Sequence, residues 1–150
     1  MKKLKIVLFS VLAMGTLLTS CGSDDSNENV NEKIEGKWIL TKTATGEEAL
    51  KDYEHTIGCS KDFIEIIGDG IFRDVDYQGS ECTEEVDTGK WVKGDNTLTV
   101  TYTYGEGETQ EEEVLSFTIL SLTGSELKLK TVYEEGGVDI TAISLFTRVN

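Results

Sequence analysis

Two aspartates, Asp74 and Asp76, are the first residues in this 150-residue chain whose types and spacing suit chemistry. Residues two apart on a strand share a face, so both carboxylates point the same way. Glycoside hydrolysis needs carboxyl groups on opposite sides of a scissile bond, which a single strand face does not supply. His55, the single histidine, follows Glu54. With no serine nucleophile motif and no spare thiol to work with, it reads as a surface residue rather than a general base. Glu111, Glu112 and Glu113, with Glu106 and Glu108 nearby, alternate faces in a strand and lack the spacing of a calcium loop, so they read as a solvated charge run. The chain has no glycine-rich phosphate loop and no basic aromatic patch. These residues point away from an enzyme, and neither a cofactor nor a metal site is expected.

The elements that carry these residues are preceded by an export signal. Lys2, Lys3 and Lys5 lead into the uncharged run Ile6–Leu18. A basic start and a short apolar core make a secretory signal, too short to span a bilayer comfortably. Leu18-Thr19-Ser20-Cys21-Gly22 comes next. It resembles the lipobox of bacterial lipoproteins, in which a small residue precedes the cysteine that is lipidated and becomes residue one. The resemblance implies a signal peptide over residues 1–20 and acyl chains, palmitate among them, on Cys21. Each buried methylene then contributes about 0.8 kcal/mol to a membrane anchor. Residues 21–33 hold no aromatic residue and one aliphatic one, Val30, so they read as a flexible tether. Ser23-Asp24-Asp25 directly behind the cysteine resembles the acidic signal that sends some lipoproteins to the cell surface. The expected location is the outer membrane, with the cell-surface and periplasmic faces both open.

With Cys21 assigned to lipid, Cys59 and Cys82 are left as an even pair in an exported chain, where disulfides form and persist. They flank a candidate hairpin at its open end, which suits one bridge; two unpaired thiols are the alternative. A zinc site would need further ligands, and the chain has one histidine. Loss of Lys2, Lys3 and Lys5 with the signal leaves 11 basic residues against 28 acidic ones, a formal charge of −17. So acidic a surface repels phosphate backbones and excludes nucleic acid as a partner. Residues 34–150 suffice for one domain.

Within that domain Lys37–Ala44 reads as a first strand with Trp38 and Leu40 on one face. Ala49, Leu50, Tyr53 and Ile57 recur at helical spacing and predict a short helical segment after it. Phe63–Ile67 and Ile71–Tyr77, split by Gly68-Asp69-Gly70, read as a hairpin. Further strands are expected near Gly89–Lys93, Thr97–Tyr104, Val114–Leu120, Leu127–Tyr133 and Val138–Val149. Thr97–Tyr104 alternates threonine with Leu98, Val100, Tyr102 and Tyr104, the pattern of one wet and one buried face. Eight short strands with short connections favour an antiparallel up-and-down barrel, which closes its own edges. A two-sheet sandwich is also compatible with the strand count.

A first strand opening Gly36-x-Trp38, eight successive strands and Arg148 in the last one resemble the lipocalin-like domains of small bacterial lipoproteins. The resemblance implies that Gly36 and Trp38 lie at one mouth of the barrel, with Arg148 packed over the indole to close it. Gly136-Gly137 leads straight into Val138, so the long helix of secreted animal lipocalins is not expected. Leu98, Val100, Tyr102 and Tyr104 share one strand face, as do Leu115, Phe117 and Ile119, and Leu127, Leu129 and Tyr133. Pointed inward, they would line a pocket for a small hydrophobic or amphiphilic ligand, shallow and near a mouth. A surface interaction or structural lipoprotein with a filled barrel is the other reading. Protein partners are left open.

Overall fold

The computed structural model describes residues 33–105 and 110–149. Cys21, the signal and the tether up to residue 32 lie outside the described residues. Among those described, the strands are β1 (Gly36–Thr45), β2 (Lys51–Asp52), β3 (Phe63–Ile67), β4 (Ile71–Gln78), β5 (Thr83–Lys93), β6 (Thr97–Tyr104), β7 (Glu111–Leu122), β8 (Glu126–Glu135) and β9 (Val138–Arg148). β1 and β3 to β9 pair antiparallel in chain order, and β1–β9 pairing closes them into an eight-stranded barrel. Closure removes the free edges that an open sheet of this length would present. The sandwich alternative is therefore set aside, and the barrel expectation holds.

Alternation decides which side chains enter the barrel. Trp38 stands opposite Ile64 and Arg148, Leu98 opposite Phe117, and Leu127 opposite Phe146. Directly opposed residues share a face, so these form the interior. Trp38, Leu98, Val100 and Leu127 are fully buried there, and Ile66 nearly so. Two bulges, at Leu40/Lys42 in β1 and Ile119/Ser121 in β7, bend the wall.

Residues 47–57 do not form the expected helix. Their regular structure is the two-residue β2, which pairs with Lys42 and Thr43. The Tyr53 N–H donates to the Thr41 carbonyl at 2.8 Å. β1 pairs with β3 only over Gly36–Ile39, which leaves the rest of that edge with open backbone groups. An extended segment satisfies them, whereas a helix would spend its backbone bonds on itself. The apolar spacing has no buried face to serve, since Ile57 is 98% exposed.

The β4–β5 region also differs in extent. β5 begins at Thr83, six residues before the expected start, because Thr83–Thr88 continues the ladder with Arg73–Gln78. The Phe63–Ile67 and Ile71–Gln78 hairpin forms as read, with Asp69 at φ 65 in its turn. Cys59 and Cys82 are bonded at its open end, with Cα atoms 5.2 Å apart.

Candidate functional site

One end of the barrel is packed shut. The Arg148 guanidinium lies 4.1 Å from the Trp38 ring centroid, a cation–π arrangement. Its Nη1 donates to the Glu35 carbonyl at 2.8 Å and its Nη2 to that of Lys33. The Trp38 indole N–H donates to the Ile34 carbonyl at 2.8 Å. Gly36 sits beneath at φ +145, and a Cβ there would come within 2.7 Å of Arg148 Nη1. Glycine is required both by the backbone and by the approach of the guanidinium. Arg148 Nε stays buried with no partner among the described residues, which leaves the indole face to compensate it.

The other end opens gradually, and three strands show it in parallel. Along β6 the interior series Leu98, Val100, Tyr102, Tyr104 goes from 0% to 42% exposed. Along β8, Leu127 and Leu129 are buried and Thr131 and Tyr133 half-buried. Along β4, Phe72 is buried, Asp74 half-buried and Asp76 exposed. Gly89 on β5 lies between Phe72 and Tyr102, where a Cβ would meet the Thr101 carbonyl at 2.8 Å. Its bare backbone lets those two rings meet edge to face, with centroids 6.2 Å apart.

This tapering leaves a cavity of about 190 Å³. Leu40, Phe63, Ile64, Phe72, Leu115, Phe117, Leu129, Ala142 and Phe146 make its apolar part; Asp62, Asp74, Asp76, Tyr102, Thr131 and Ser144 add polar groups. Burial, with Asp76 and Asp87 beside it, pushes the Asp74 carboxyl up to about 7. Asp76 is raised by burial and by Asp62 and Asp87. Desolvation and neighbouring like charge both disfavour the ionised form. The Tyr102 hydroxyl is held protonated, by burial and then by Asp74.

A latch holds the chain before β3 against this rim. Asp62, 5% exposed, accepts from the Tyr77 N–H at 2.9 Å through Oδ1, and its Oδ2 lies 3.1 Å from His55 Nδ1. The Asp62 N–H also points at that nitrogen, at 3.0 Å. One tautomer serves one of these two contacts, not both. His55 is therefore a half-buried latch and not the surface residue its isolation in the sequence suggested.

Of the ten residues expected to line a pocket, Tyr102, Leu115, Phe117 and Leu129 do so, and half-buried Ile119 does not. Leu98, Val100 and Leu127 share their face but lie deeper, fully buried in the packed end. Tyr104 is 42% exposed beyond the rim, and half-buried Tyr133 does not border the cavity. Depth along the barrel, which face alternation does not encode, separates these groups. Asp74 and Asp76 do share a face, and it is the inner one. Sequence reasoning missed that; the signal was Phe72-x-Asp74-x-Asp76, an apolar-to-acidic series on one face. It was masked because Val75, on the outer face, is fully buried too. Glu111 and Glu113 fall opposite Tyr104 and Tyr102, in the strand ladder as expected.

Comparison with known proteins agrees with this geometry. The lipocalin-like domain family matches residues 34–129. Among solved structures, a lipocalin-like protein from Bacteroides uniformis aligns with a TM-score of 0.51 at 15% identity, over 77% of this chain and 97% of that one. An uncharacterized protein from Bacteroides eggerthii aligns with a TM-score of 0.51 at 13% identity, over 77% and 98%. Among the curated proteins none matches. The barrel, its Trp38–Arg148 closure and the family match together place this chain in the lipocalin-like domain family.

Proposed function

We propose that this domain is a non-catalytic binding module that takes a small hydrophobic or amphiphilic ligand at the open mouth of its barrel, anchored to the outer membrane through lipid on Cys21. The observation that carries the binding reading is the cavity, with apolar walls and a few convergent polar groups. Asp74 and Asp76 do not flank a space as a hydrolytic pair must, since both stand on one strand. The cavity falls below the roughly 300–1,000 Å³ of drug-sized pockets, which favours a short chain or a single ring. The same smallness supports a second reading, a surface interaction protein whose barrel is essentially filled.

The two readings part in a binding experiment. Neither Trp38 nor Trp91 borders the cavity, so calorimetry and melting temperature are better readouts than tryptophan emission. A panel of six- to ten-carbon amphiphiles should include ligands with Kd at or below about 1 mM, equivalent to about −4 kcal/mol. Ala142→Phe, which pushes a ring into the cavity, should abolish that binding while the barrel stays folded. No heat and no melting shift across the panel would leave the filled-barrel reading standing.

The anchor rests on the lipobox resemblance around Cys21 and is tested apart. Cys21→Ser should lose fatty-acid labelling, and undiminished incorporation would refute it. The described chain enters at the packed end, where Lys33 and Glu35 meet Arg148, so a tether attached there leaves the mouth clear. Protease added to intact cells then tells surface display, which Ser23-Asp24-Asp25 supports, from a periplasmic location.

A further inference from the structure

The cavity has an electrostatic sign that a purely apolar pocket would lack. Asp62, Asp74 and Asp76 border it, and no lysine, arginine or histidine does among the described residues. Asp87 stands opposite Asp74, Glu85 opposite Asp76 and Glu113 opposite Tyr102, so the surrounding rim is acidic as well. The ion pairs among the described residues are Lys42–Asp52, Lys51–Glu48, His55–Asp62 and Arg73–Glu65. None of them engages Asp74, Asp76 or Asp87, so these charges are uncompensated within the described chain. Carboxylates gathered without a counter-charge above an apolar well cost stability, and burial raises that cost.

Two further observations narrow what could offset it. No group of three acidic, histidine or cysteine residues among the described ones converges closely enough to hold a metal ion. A bare divalent cation therefore has no cage. Tyr102 is 5% exposed and borders the cavity, and its hydroxyl has no hydrogen-bond partner among the described residues. The hydroxyl can both donate and accept, so the cavity presents a polar group that a ligand can engage.

We propose, building on the binding reading above, that the mouth selects amphiphiles bearing a basic amine: the apolar chain or ring fills the well, and the ammonium sits among Asp74, Asp76 and Asp87 within reach of the Tyr102 hydroxyl. An ammonium carries three donors and no acceptor, which matches a rim of acceptors. Anionic amphiphiles such as fatty acids meet like charge at the same rim and are disfavoured.

Three ligands with the same eight-carbon body test this: octylamine, 1-octanol and octanoate, measured by calorimetry at pH 8 and low salt. At that pH Asp74 is ionised and the amine protonated. Octylamine should bind at least tenfold tighter than 1-octanol, or about 1.4 kcal/mol, with octanoate weakest. In the Asp74→Asn/Asp76→Asn double variant, the octylamine-to-octanol ratio should fall toward one. Ala142→Phe separates the cavity from the acidic surface at large and should abolish octylamine binding. Equal or tighter binding of octanol or octanoate overturns the amine preference and leaves the pocket reading intact. A preference that survives the double variant or Ala142→Phe also overturns it, because the amine is then held elsewhere. If none of the three binds, the pocket reading fails and the amine preference falls with it.

Discussion

Asp74→Asn should stabilise the domain, and by an amount that depends on pH. The Asp74 carboxyl is pushed from 3.8 up to about 7, mainly by burial and then by Asp76 and Asp87. A tenfold change in proton affinity is equivalent to about 1.36 kcal/mol, so a rise this large sets a ceiling of about 4 kcal/mol. The sign follows from linkage. Well below 3.8 the group is protonated both folded and unfolded, and it costs nothing extra. As pH climbs toward 7 the unfolded chain gives up this proton while the folded one keeps it, so the folded state loses ground. By about pH 8, a unit above the folded value, the loss is nearly complete. Asparagine keeps the shape and cannot ionise. Its own desolvation is the same at every pH and drops out of the comparison. Urea unfolding of both proteins at pH 4, 5, 6, 7 and 8 should therefore show a difference that grows by about 2–4 kcal/mol in favour of the variant. For a domain this size that is a rise of roughly 10 °C in Tm at pH 8. A difference that stays flat between pH 4 and 8, or a variant that weakens as pH rises, would refute the reasoning.

Further expectations follow from the closed end and the bridge. Replacing Cys59 and Cys82 by serine should cost about 3 kcal/mol by the chain-entropy account, seen as a lower urea midpoint; an unchanged midpoint counts against the bridge as a stabilising element. Arg148→Lys keeps the charge and loses both the planar stacking on Trp38 and the fork to Glu35 and Lys33, which should cost about 1–2 kcal/mol. Gly36→Ala places a Cβ against Arg148 Nη1 at a positive φ and should cost about 1–3 kcal/mol. A neutral result for either would mean that the first and last strands close without that contact.

Much of the architecture was legible in the residues because it is written in short-range pattern. Period-two alternation in Thr97–Tyr104 and the Gly68-Asp69-Gly70 turn are local signals, and each formed the element it predicts. The Cys59–Cys82 bridge was legible for a similar reason: both residues stand at the open end of one hairpin, so hairpin pairing alone brings them together. The segment from Glu47 to Ile57 carried an equally local signal and did not follow it. There the unpaired edge of β1, which exists only once the barrel has closed, outweighed helical spacing.

The candidate site needed the third dimension. Alternation tells which residues face inward but not how far along the axis they lie. Leu98 and Tyr102 therefore look alike in sequence, although one is sealed in the packed end and the other borders the cavity. Asp74 and Asp76 show the same limit. Their shared face was legible, but whether it was inside depended on the register that sets Asp74 opposite Ile64 and Asp87. Composition showed an excess of acid; closure of eight strands put part of it, without counter-charge, at the mouth of an apolar well. Sequence by itself placed eight of the strands and pointed to their up-and-down order and to the bridge, because these depend on neighbours along the chain. Only the tertiary structure decided the depth, the cavity and its charge, because these depend on which strands meet across the barrel.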